Sequence, residues 1–526
     1  MRRGFGFGRQ RAKRGPYAPG LTPVDVIAMI GESNTVGARN VLTALPAGYY
    51  GADANSKIWD DTTTNAIATL VPGPQEQQPG GAAYLDPAYT NTVGSLGNIA
   101  KRYRARNGTK ELYAFVSAQG GGRFSDLAGR GRAANYNPAL SDGAFNEMKV
   151  SWNAFVAALA AAGKTPNVIA CRVCLGANSA ADATETSNFQ SDLTNLIAQM
   201  RSQGVVLNSG TKVLIDRLGN QLTDTNGTNR PTIRAAALAI AAGDPTKVEV
   251  LDTDGVTVVG GAIDFIHWSS AGHAYMGPKI DAQAAGLWHP TKPIQAAGDA
   301  IYPVRQWQPG EANASTAQMI DLVVNGRTFT HPTAPVLNTR TLASGLVARY
   351  ATWNGTSSYS LSSNEQAINR AGGFILYGAI NMAAVNNAVV YSEAHDSLAN
   401  QFWGLKSDAA GNACITIRDD NGVLALSLAS LGAVLFNGTW KTFVLTFDGS
   451  IFTIYVNGVA GSSPQTITKG PMTLQNSTIG AQKVGGGVSG FAPLNAGEIG
   501  IMQYSTTGLA GVVANLHAYL SREWLA

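Results

Sequence analysis

The sequence predicts two folded units, an α/β three-layer sandwich with a parallel sheet and then an all-β jelly-roll sandwich. In residues 22–290, short apolar runs alternate with longer helical patterns, which is typical of a parallel sheet covered on both faces by helices. After residue 320 the apolar runs are short and separated by turn signals, as in an antiparallel sandwich. The length of 526 residues also favours several units, because a single hydrophobic core rarely grows beyond about 300 residues.

Five apolar runs in the first unit predict buried strands, and four helical patterns lie between them. The predicted strands are VDVIAMIG (24–31), ELYAFVSA (111–118), NVIACRVCLG (167–176), TKVLIDRL (211–218) and VEVLDT (248–253). The predicted helices are SLGNIAKRYRARNG (95–108), FNEMKVSWNAFVAALAAAGK (145–164), TSNFQSDLTNLIAQMRSQG (186–204) and NRPTIRAAALAIAAG (229–243). Because open parallel sheets bind ligands at the carboxyl ends of their strands, we expect a functional site in the loops that follow these runs.

A proline-containing segment, residues 291–319, predicts a linker to the second unit. Beyond it the clearest pattern is FVLTFDGSIFTIYVNGV (443–459), two apolar stretches joined by a DG-containing turn, which predicts a hairpin. The ending GLAGVVANLHAYLSREW (508–524) carries the one helical pattern of this half. The expected organisation is a basic flexible or anchoring arm (1–21), an α/β unit (22–290), the linker (291–319) and a β-sandwich (320–526).

Charge is unevenly placed along the chain. The first fifteen residues contribute six positive charges to the net charge of +4, so the remainder carries −2. A nearly neutral body argues against a nucleic-acid-binding face, which needs clustered lysine and arginine. We interpret the basic arm as disordered or ordered by a partner, although it could also contact an anion.

The sequence lacks the signals of exported, membrane-spanning and metal-binding or redox proteins. The charged start is not followed by an apolar stretch, so no secretory or twin-arginine export signal is expected. A run of about 18 apolar residues, which a membrane-spanning helix requires, does not occur. Cys171 and Cys174 lie at strand spacing in one apolar run, so their side chains should point to opposite faces and hold no metal or redox centre. Zinc or calcium spacings are also missing, and we expect no metal and no cofactor.

A serine at the end of the first strand and a distant histidine suggest ester chemistry. Ser33 follows Gly31 at the carboxyl edge of the strand, where a tight turn would expose a nucleophile. A serine needs a base oriented by a third group, and Asp264 stands three residues before His267, close enough to orient its ring. Ser33 could instead be a helix N-cap, and Asp264 with His267 could be a structural hydrogen-bonded pair.

Four short motifs make residues 22–290 resemble the SGNH, or GDSL-like, hydrolase superfamily, and most of all its carbohydrate O-acetylesterase branch, the sialate O-acetylesterase-like one. The motifs are Gly31-Glu32-Ser33-Asn34, Gln119-Gly120-Gly121-Gly122-Arg123-Phe124, Gly176-Ala177-Asn178 and Asp264 to His267. The resemblance implies that Ser33 attacks an ester carbonyl, His267 transfers the proton and Asp264 orients the imidazole. It also implies that the oxyanion is held by backbone N–H groups of Ser33 and Gly120 and by the side-chain amide of Asn178.

Further residues beside these motifs are candidates for a substrate pocket. These residues are Glu32, Asn34, Gly121 and Arg123. Glu32 and Ser179 depart from the residues usual in the superfamily, but neither change removes a proton-transfer or oxyanion group. Asn178 could also be a turn residue. Asp182 and Glu185 could also line this pocket, although for both of them and for Arg123 we favour solvated loop positions. We interpret His273 as a helix-face or surface residue.

The second unit, residues 320–526, resembles the concanavalin A-like, laminin-G-type jelly roll. The resemblance lies in FDGSIFTIYVNGV and in EIGIMQYS followed by a helical ending. Such modules often bind glycans, because the apolar face of a sugar stacks on an aromatic ring. The available rings are Trp353, Tyr359, Trp403 and Trp440, although tryptophans more often fill a sandwich core.

Together these resemblances predict a serine esterase that removes O-acetyl groups from a polysaccharide or glycoconjugate. The low charged fraction of 14% suggests a bacteriophage tail fibre or spike, on the virion or another extracellular surface. There the arm would dock to virion proteins and the protein would form a homo-oligomer, with neither nucleic acid nor membrane as a partner. The alternatives are a non-catalytic glycan-binding or structural virion protein that keeps the hydrolase fold, and a general short-chain lipid or small-ester hydrolase.

Overall fold

The computed structural model describes most of the chain from residue 21 onward. In the first part it describes residues 21–32, 35, 53–60, 66–70, 95–118, 121–126, 134–219, 228–253, 268 and 270–287. In the second part it describes 294–525 with gaps at 297–298, 302, 314–315, 322–329, 334, 343–346, 363–366, 370–371, 396–400, 421–423, 469, 471, 485–486 and 505–507. The chain divides into two compact units, Met1–Leu287 and Trp288–Ala526.

The first unit is built on a seven-stranded sheet with strand order β3-β2-β4-β1-β5-β6-β7. The strands are β1 (Thr22–Gly31), β2 (Asp53–Asp60), β3 (Ala66–Leu70), β4 (Leu112–Ala118), β5 (Lys164–Cys174), β6 (Lys212–Arg217) and β7 (Val248–Asp252). The α-helices are α1 (Leu96–Asn107), α2 (Ala144–Ala161), α3 (Ala183–Ser202), α4 (Arg230–Gly243) and α5 (Ser270–Ala284). All five predicted strands and all four predicted helices are present, with ends that differ by three residues or fewer.

The sheet is mixed, which differs from the parallel sheet that we predicted. The pairs β2–β4, β4–β1, β1–β5, β5–β6 and β6–β7 are parallel, but the edge strand β3 runs antiparallel to β2. Neither β2 nor β3 was predicted. The sequence of β2, DANSKIWD, is mostly polar, and β3 has five residues of which four are at least partly exposed. β3 is the edge strand and β2 lies next to it. Strands at or near the edge of a sheet need no continuous apolar run, so hydrophobic periodicity does not reveal them.

Helices cover both faces of this sheet. Successive side chains of a strand point to opposite faces, and β1 shows this clearly. Val26 and Ile30 belong to the hydrophobic cluster beneath α2, α3 and α4, whereas Ile27 and Met29 belong to the cluster beneath α1 and α5. Each such burial contributes roughly 1.5–3 kcal/mol. A strand that is buried on both faces must be apolar throughout, which explains why β1 was recognisable in the sequence.

The second unit is an antiparallel sandwich of a ten-stranded and a seven-stranded sheet. The larger sheet contains β10 (Pro303–Asn313), β11 (Thr316–Asp321), β13 (Val336–Thr341), β14 (Val347–Thr352), β16 (Phe374–Asn381), β21 (Lys441–Phe447), β22 (Ile451–Val456), β23 (Val459–Ala460), β24 (Gln465–Thr466) and β28 (Asn495–Gln503). The smaller sheet contains β12 (Thr330–Thr333), β15 (Tyr359–Ser362), β17 (Val389–Ala394), β18 (Phe402–Ser407), β19 (Asn412–Arg418), β20 (Leu424–Val434) and β25 (Asn476–Ile479). Two short ribbons, β8 (Ile294–Ala296) with β9 (Asp299–Ile301) and β26 (Gln482–Val484) with β27 (Gly487–Ser489), and helix α6 (Leu509–Trp524) complete the unit.

The predicted hairpin and terminal helix of the second unit are present. Strands β21 and β22 pair from Phe443 with Val456 to Phe447 with Phe452, and Asp448 begins the turn by accepting hydrogen bonds from the backbone of residues 450 and 451. The core of the sandwich lies between the two sheets. It combines Phe374 and Leu445 of the larger sheet with side chains of β18 and β19 from the smaller one.

The segment that we predicted as a linker, residues 291–319, contains strands in the structure. Strand β10 pairs with β28 in a register that places the backbone of Trp307 opposite that of Ile499, and it also pairs with β11. The partner strand β28 lies far along the chain, so this pairing leaves no local signature. Pro303 and Pro309 also lower the strand signal, since proline lacks the N–H that a sheet ladder uses.

A buried carboxylate lies inside the sandwich. Glu393 is fully buried and accepts hydrogen bonds from Trp403 Nε1 (2.6 Å), Tyr391 Oη (2.8 Å) and the backbone N–H groups of Ala367 (2.5 Å) and Ile368 (3.2 Å). Burial raises the pKa of Glu393 to about 7, while these four donors act in the opposite direction by favouring the anion.

Candidate functional site

The structure describes four of the nine predicted site residues. Glu32, Gly121, Arg123 and Asn178 are described, and each lies at the carboxyl edge of the first unit's sheet, in loops after β1, β4 and β5. The other five predicted site residues lie outside the described residues, and these are Ser33, Asn34, Gly120, Asp264 and His267.

The backbones of the first and third motifs meet where β1 and β5 end. Gly31 and Cys174 are paired in register, and the N–H of Glu32 donates to the Cys174 carbonyl at 3.0 Å. Gly31 has φ of +150°, and a Cβ added there would lie 2.1 Å from that same carbonyl oxygen. Only glycine therefore allows the two strand ends to approach this closely.

The Glu32 side chain joins the two motifs directly. Its carboxylate accepts a hydrogen bond from the Ala177 backbone N–H (2.9 Å) and another from Asn178 Nδ2. Glu32 is only 1% exposed, so it does not line an open pocket as we had expected. A buried carboxylate requires hydrogen-bond donors, and the turn after β5 supplies both of them. Glu32 thus fixes the position of Asn178, a residue 146 positions away in the sequence.

Burial raises the pKa of Glu32 to about 7. The loss of hydration is the main cause, and the negative charge of Asp216 acts in the same direction. The hydrogen bonds from Ala177 and Asn178 oppose the shift because they stabilise the ionised form. The carboxyl group can therefore change its protonation state near neutral pH.

Asn178 is half-buried and lies at the start of a short 3₁₀ turn, Ser179–Ala181. One N–H of its amide is engaged by Glu32, and an amide nitrogen carries two hydrogens. The preceding Gly176 has φ of +124°, and a Cβ there would lie 2.9 Å from a methyl group of Ile233. The Gly176-Ala177-Asn178 sequence thus places an oriented amide at the sheet edge, with a second N–H for another partner.

A tyrosine that sequence reasoning missed connects the first and second motifs. The Tyr136 hydroxyl lies 2.9 Å from the Gly31 carbonyl oxygen and 3.0 Å from that of Ser117, near the ends of the neighbouring strands β1 and β4. The backbone N–H of Tyr136 donates to the Arg123 carbonyl at 2.8 Å. Gly121, also in the second motif, adopts φ of +83°. An isolated tyrosine in a polar loop gave no signal of this role.

Arg123 is held by acidic side chains at the start of α3. Its Nε donates to Glu185 Oε1 at 2.6 Å, Ser125 also donates to that oxygen, and Asp182 Oδ2 lies 3.6 Å from Nη2. The side chains of Arg123 and Glu185 are 12% and 7% exposed. Glu185 is therefore not the solvated loop residue that we expected, and the charge of Arg123 is compensated within the protein. Asp182 is 43% exposed and caps α3 by accepting from the Glu185 N–H.

A second buried ion pair lies beneath the sheet edge. Arg172 of β5 donates from Nε and Nη2 to the two carboxylate oxygens of Asp216 in β6, at 2.9 and 2.6 Å. The guanidinium carbon of Arg172 also lies 4.8 Å from the ring centre of Trp268. Trp268 directly follows the predicted base His267 in the sequence. Trp268 is therefore in contact with β5, the strand that leads to the third motif.

His273 lies on a face of α5, which is one of the two positions that we expected, but it is buried and is therefore not a surface residue. Its Nδ1 is 3.1 Å from Ser95 Oγ, and its ring centre is 5.3 Å from that of Trp268. Cys171 and Cys174 are buried without a disulfide, and burial raises the pKa of both thiols. The residues described contain no group of three potential metal ligands, and none of their helices is long and apolar enough to cross a membrane.

Of the four aromatic residues suggested as sugar platforms, two belong to the core. Trp353 and Trp403 are 1% and 0% exposed. Tyr359 is half-buried, with its ring 6.1 Å from that of Phe491. Trp440 is also half-buried, and its ring contacts those of Trp524 (6.0 Å, stacked) and Tyr350 (5.3 Å), with the Arg340 guanidinium 5.0 Å from its centre.

The comparisons with known proteins give distant likenesses. The chain matches no known protein-family profile and no curated protein. Among solved structures, an Arabidopsis thaliana protein is 11% identical over 50% of this chain and 98% of its own, with a TM-score of 0.39. The protein NanS is 13% identical over 51% of this chain and 98% of its own, with a TM-score of 0.37.

Two further structures are similar over smaller shares of their length. The NanB sialidase from Streptococcus pneumoniae is 17% identical over 27% of this chain, with a TM-score of 0.24, and the match covers 24% of the sialidase. The binding domain of botulinum neurotoxin serotype D is 12% identical over 40% of this chain and 51% of its own, with a TM-score of 0.29.

Proposed function

We propose that this protein is a serine esterase that removes O-acetyl or other short acyl groups from a polysaccharide or glycoconjugate. In this proposal Ser33 attacks the ester carbonyl, His267 takes the proton and returns it to the leaving alcohol, and Asp264 orients the imidazole. Water then releases the acyl group from Ser33 through the same base. The backbone N–H of Gly120 and the side-chain amide of Asn178 stabilise the oxyanion.

The observation that carries this proposal is the link between Glu32 and Asn178. Glu32 directly precedes the proposed nucleophile, and its carboxylate bonds the amide of the proposed oxyanion residue. Two motifs recognised separately in the sequence therefore meet at one strand edge, where α/β sheets carry their reactive groups. Tyr136 supports the same grouping, because its hydroxyl bonds the Gly31 carbonyl beside the second motif's strand.

We also propose roles for the sandwich and the basic arm, a location for the protein and an oligomeric state. We propose that the sandwich holds or recognises the glycan, that the basic arm docks to a partner in a virion or on another extracellular surface, and that the chain forms a homo-oligomer. These parts are motivated by the resemblance of the second unit, the six positive charges in the first fifteen residues and the low charged fraction of 14%.

A fluorophosphonate probe tests the catalytic part. We expect labelling of the wild type, loss of labelling in Ser33→Ala, and unchanged labelling in the control Ser191→Ala, whose side chain is exposed on α3. Acetate release from O-acetylated glycans, compared with hydrolysis of long-chain esters, then tests the acyl preference. A folded wild type that is not labelled would favour the non-catalytic alternative, and faster cleavage of long-chain esters would favour a general lipid hydrolase.

A further inference from the structure

The carboxylate of Glu32 is held in a fixed orientation where it contacts Asn178. Glu32 is 1% exposed, and one of its carboxylate oxygens is occupied by the backbone N–H of Ala177 at 2.9 Å. Because that donor belongs to the backbone, it holds the carboxylate in one orientation. The other oxygen accepts the side-chain N–H of Asn178, and the backbone N–H of Asn178 also favours the ionised carboxylate.

An ionised carboxylate only accepts hydrogen bonds, so it selects the Nδ2 end of the Asn178 amide. A protonated carboxyl group also donates, and it could then bond the Oδ1 end of the same amide. The two ends of an asparagine side chain have nearly the same shape, and rotation about the last torsion exchanges them. The protonation state of Glu32 therefore decides which end of Asn178 faces it.

We infer that Glu32 is a positioning residue whose ionised carboxylate keeps an N–H of Asn178 directed to the developing oxyanion of the ester. This inference rests on the proposed function and adds a second ionisation, besides that of His267, on which turnover depends. Glu32 itself does not touch the substrate. It acts through Asn178, so replacing it should lower kcat with little change in KM.

The surroundings of Glu32 support a titration near neutral pH. Its charged neighbour is Asp216 of β6, whose negative charge disfavours a second anion and is itself paired with Arg172 of β5. Among the described residues, Cys174 is a further titratable group near Glu32, and burial holds its pKa well above the usual value. Since the pKa of Glu32 is raised to about 7, the ionised fraction grows as pH increases through neutrality.

The first test is the pH dependence of kcat, with 4-nitrophenyl acetate as the probe ester. On the acid side, the wild type needs both Glu32 and His267 deprotonated, so log kcat should rise with pH with a slope approaching two. Glu32→Gln keeps the volume of the side chain but cannot ionise, and its slope should fall to one. The control Glu249→Gln, in an ion pair of β7 with Lys212, should keep the wild-type slope.

The second test is a double-mutant comparison. Removal of one oxyanion donor lowers kcat by roughly 10²–10³-fold, so we expect a loss of this size in Asn178→Ala and about 10²-fold in Glu32→Ala. The double variant should be no slower than Asn178→Ala, because Glu32 acts only through Asn178. Circular dichroism checks that each variant is folded. If Glu32→Ala is not folded, Glu32→Gln replaces it in the comparison.

Two outcomes would overturn the inference while leaving the proposed function standing. In the first, the fold-loss in kcat of the double variant equals the product of the fold-losses of the two single variants. In the second, the slope of log kcat against pH on the acid side is the same in Glu32→Gln as in the wild type, while Ser33→Ala is inactive. If Ser33→Ala keeps both its labelling and its turnover, the proposed function itself fails.

Discussion

Replacing Asp216 with asparagine should strongly destabilise the first unit. The Arg172 guanidinium is 0% exposed and the Asp216 carboxylate 2% exposed, and two hydrogen bonds join them at 2.9 and 2.6 Å. Asparagine removes the compensating charge and leaves one acceptor where the guanidinium needs two. Breaking a buried pair in this way costs about 3–5 kcal/mol, because an unpaired charge stays in a poorly hydrated site. The cation–π contact with Trp268 does not replace this loss, since such contacts contribute about 0.5–2 kcal/mol.

We expect a smaller effect when both partners of the ion pair are replaced. In the double variant Arg172→Met/Asp216→Leu, apolar side chains fill the space and no charge is left buried. Exchanges of this kind are often neutral or stabilising, so we expect the double variant to be within about 2 kcal/mol of the wild type. The ordering of the variants, with the single replacement least stable, is the decisive feature.

Hydrogen exchange measured by mass spectrometry can test this ordering on the full chain. Peptides from β5 and β6 report on the first unit, and peptides from β16 and β28 of the second unit serve as an internal reference. A loss of 3–5 kcal/mol corresponds to exchange that is faster by roughly 10²–10³-fold or more in β5 and β6. A loss of less than about 1 kcal/mol in the single variant, or a double variant less stable than the single one, would show that no unpaired buried charge destabilises the first unit.

Three further perturbations follow from contacts of the same kind. Gly31→Ala places a Cβ 2.1 Å from the Cys174 carbonyl oxygen and should lower the free energy of unfolding by at least about 3 kcal/mol. The control Gly163→Ala, at φ of +72° in open space, should lower it by about 1 kcal/mol. Thermal unfolding compares the two variants, and equal losses of stability would contradict the clash. Tyr136→Phe removes the hydroxyl that bridges the ends of β1 and β4. We therefore expect a free energy of unfolding lower by about 1–3 kcal/mol, together with slower ester hydrolysis. Unchanged stability and an unchanged hydrolysis rate would argue against the bridge. Glu393 has a pKa raised to about 7, so the stability that its neutral form provides is present in acid and lost as pH rises through 7. Urea unfolding should therefore show that the free energy of unfolding of the second unit decreases by roughly 2–3 kcal/mol from about pH 5 to about pH 8. In Glu393→Gln this pH dependence should be much weaker. A wild-type stability that rises over this range would show that the four hydrogen-bond donors outweigh the effect of burial.

Much of the fold was predictable because buried strands and helices leave local patterns. The run VDVIAMIG is apolar throughout because β1 is covered on both faces, and the helical patterns repeat at the spacing of one turn. Strands β2, β3 and β10 escaped prediction for a physical reason. They are edge strands or partners of distant strands, so their stability comes from hydrogen bonds to other strands and not from a continuous apolar run.

The candidate site was predictable only in part. The resemblance to a known superfamily implied that Glu32, Ser33 and Asn178 belong to one site, and the structure brings Glu32 and Asn178 into contact. The environment of Glu32 was not predictable, because an acidic residue in a loop is exposed in most proteins. The same default made Glu185 look solvated, although it is buried against Arg123.

The sequence by itself determined the division into an α/β unit and a β-rich unit, the main buried elements and the order of the four motifs. The division and the buried elements depend on hydrophobic periodicity, which acts between residues a few positions apart, whereas the motifs were found through the resemblance to a known superfamily. Only the tertiary structure decided which polar groups are buried and paired, as Glu32 is with Asn178 and Arg172 with Asp216. Burial of a charge is favourable only when a partner is brought within hydrogen-bonding distance. That partner lies 44 or 146 positions away in these pairs, where no local pattern can record it.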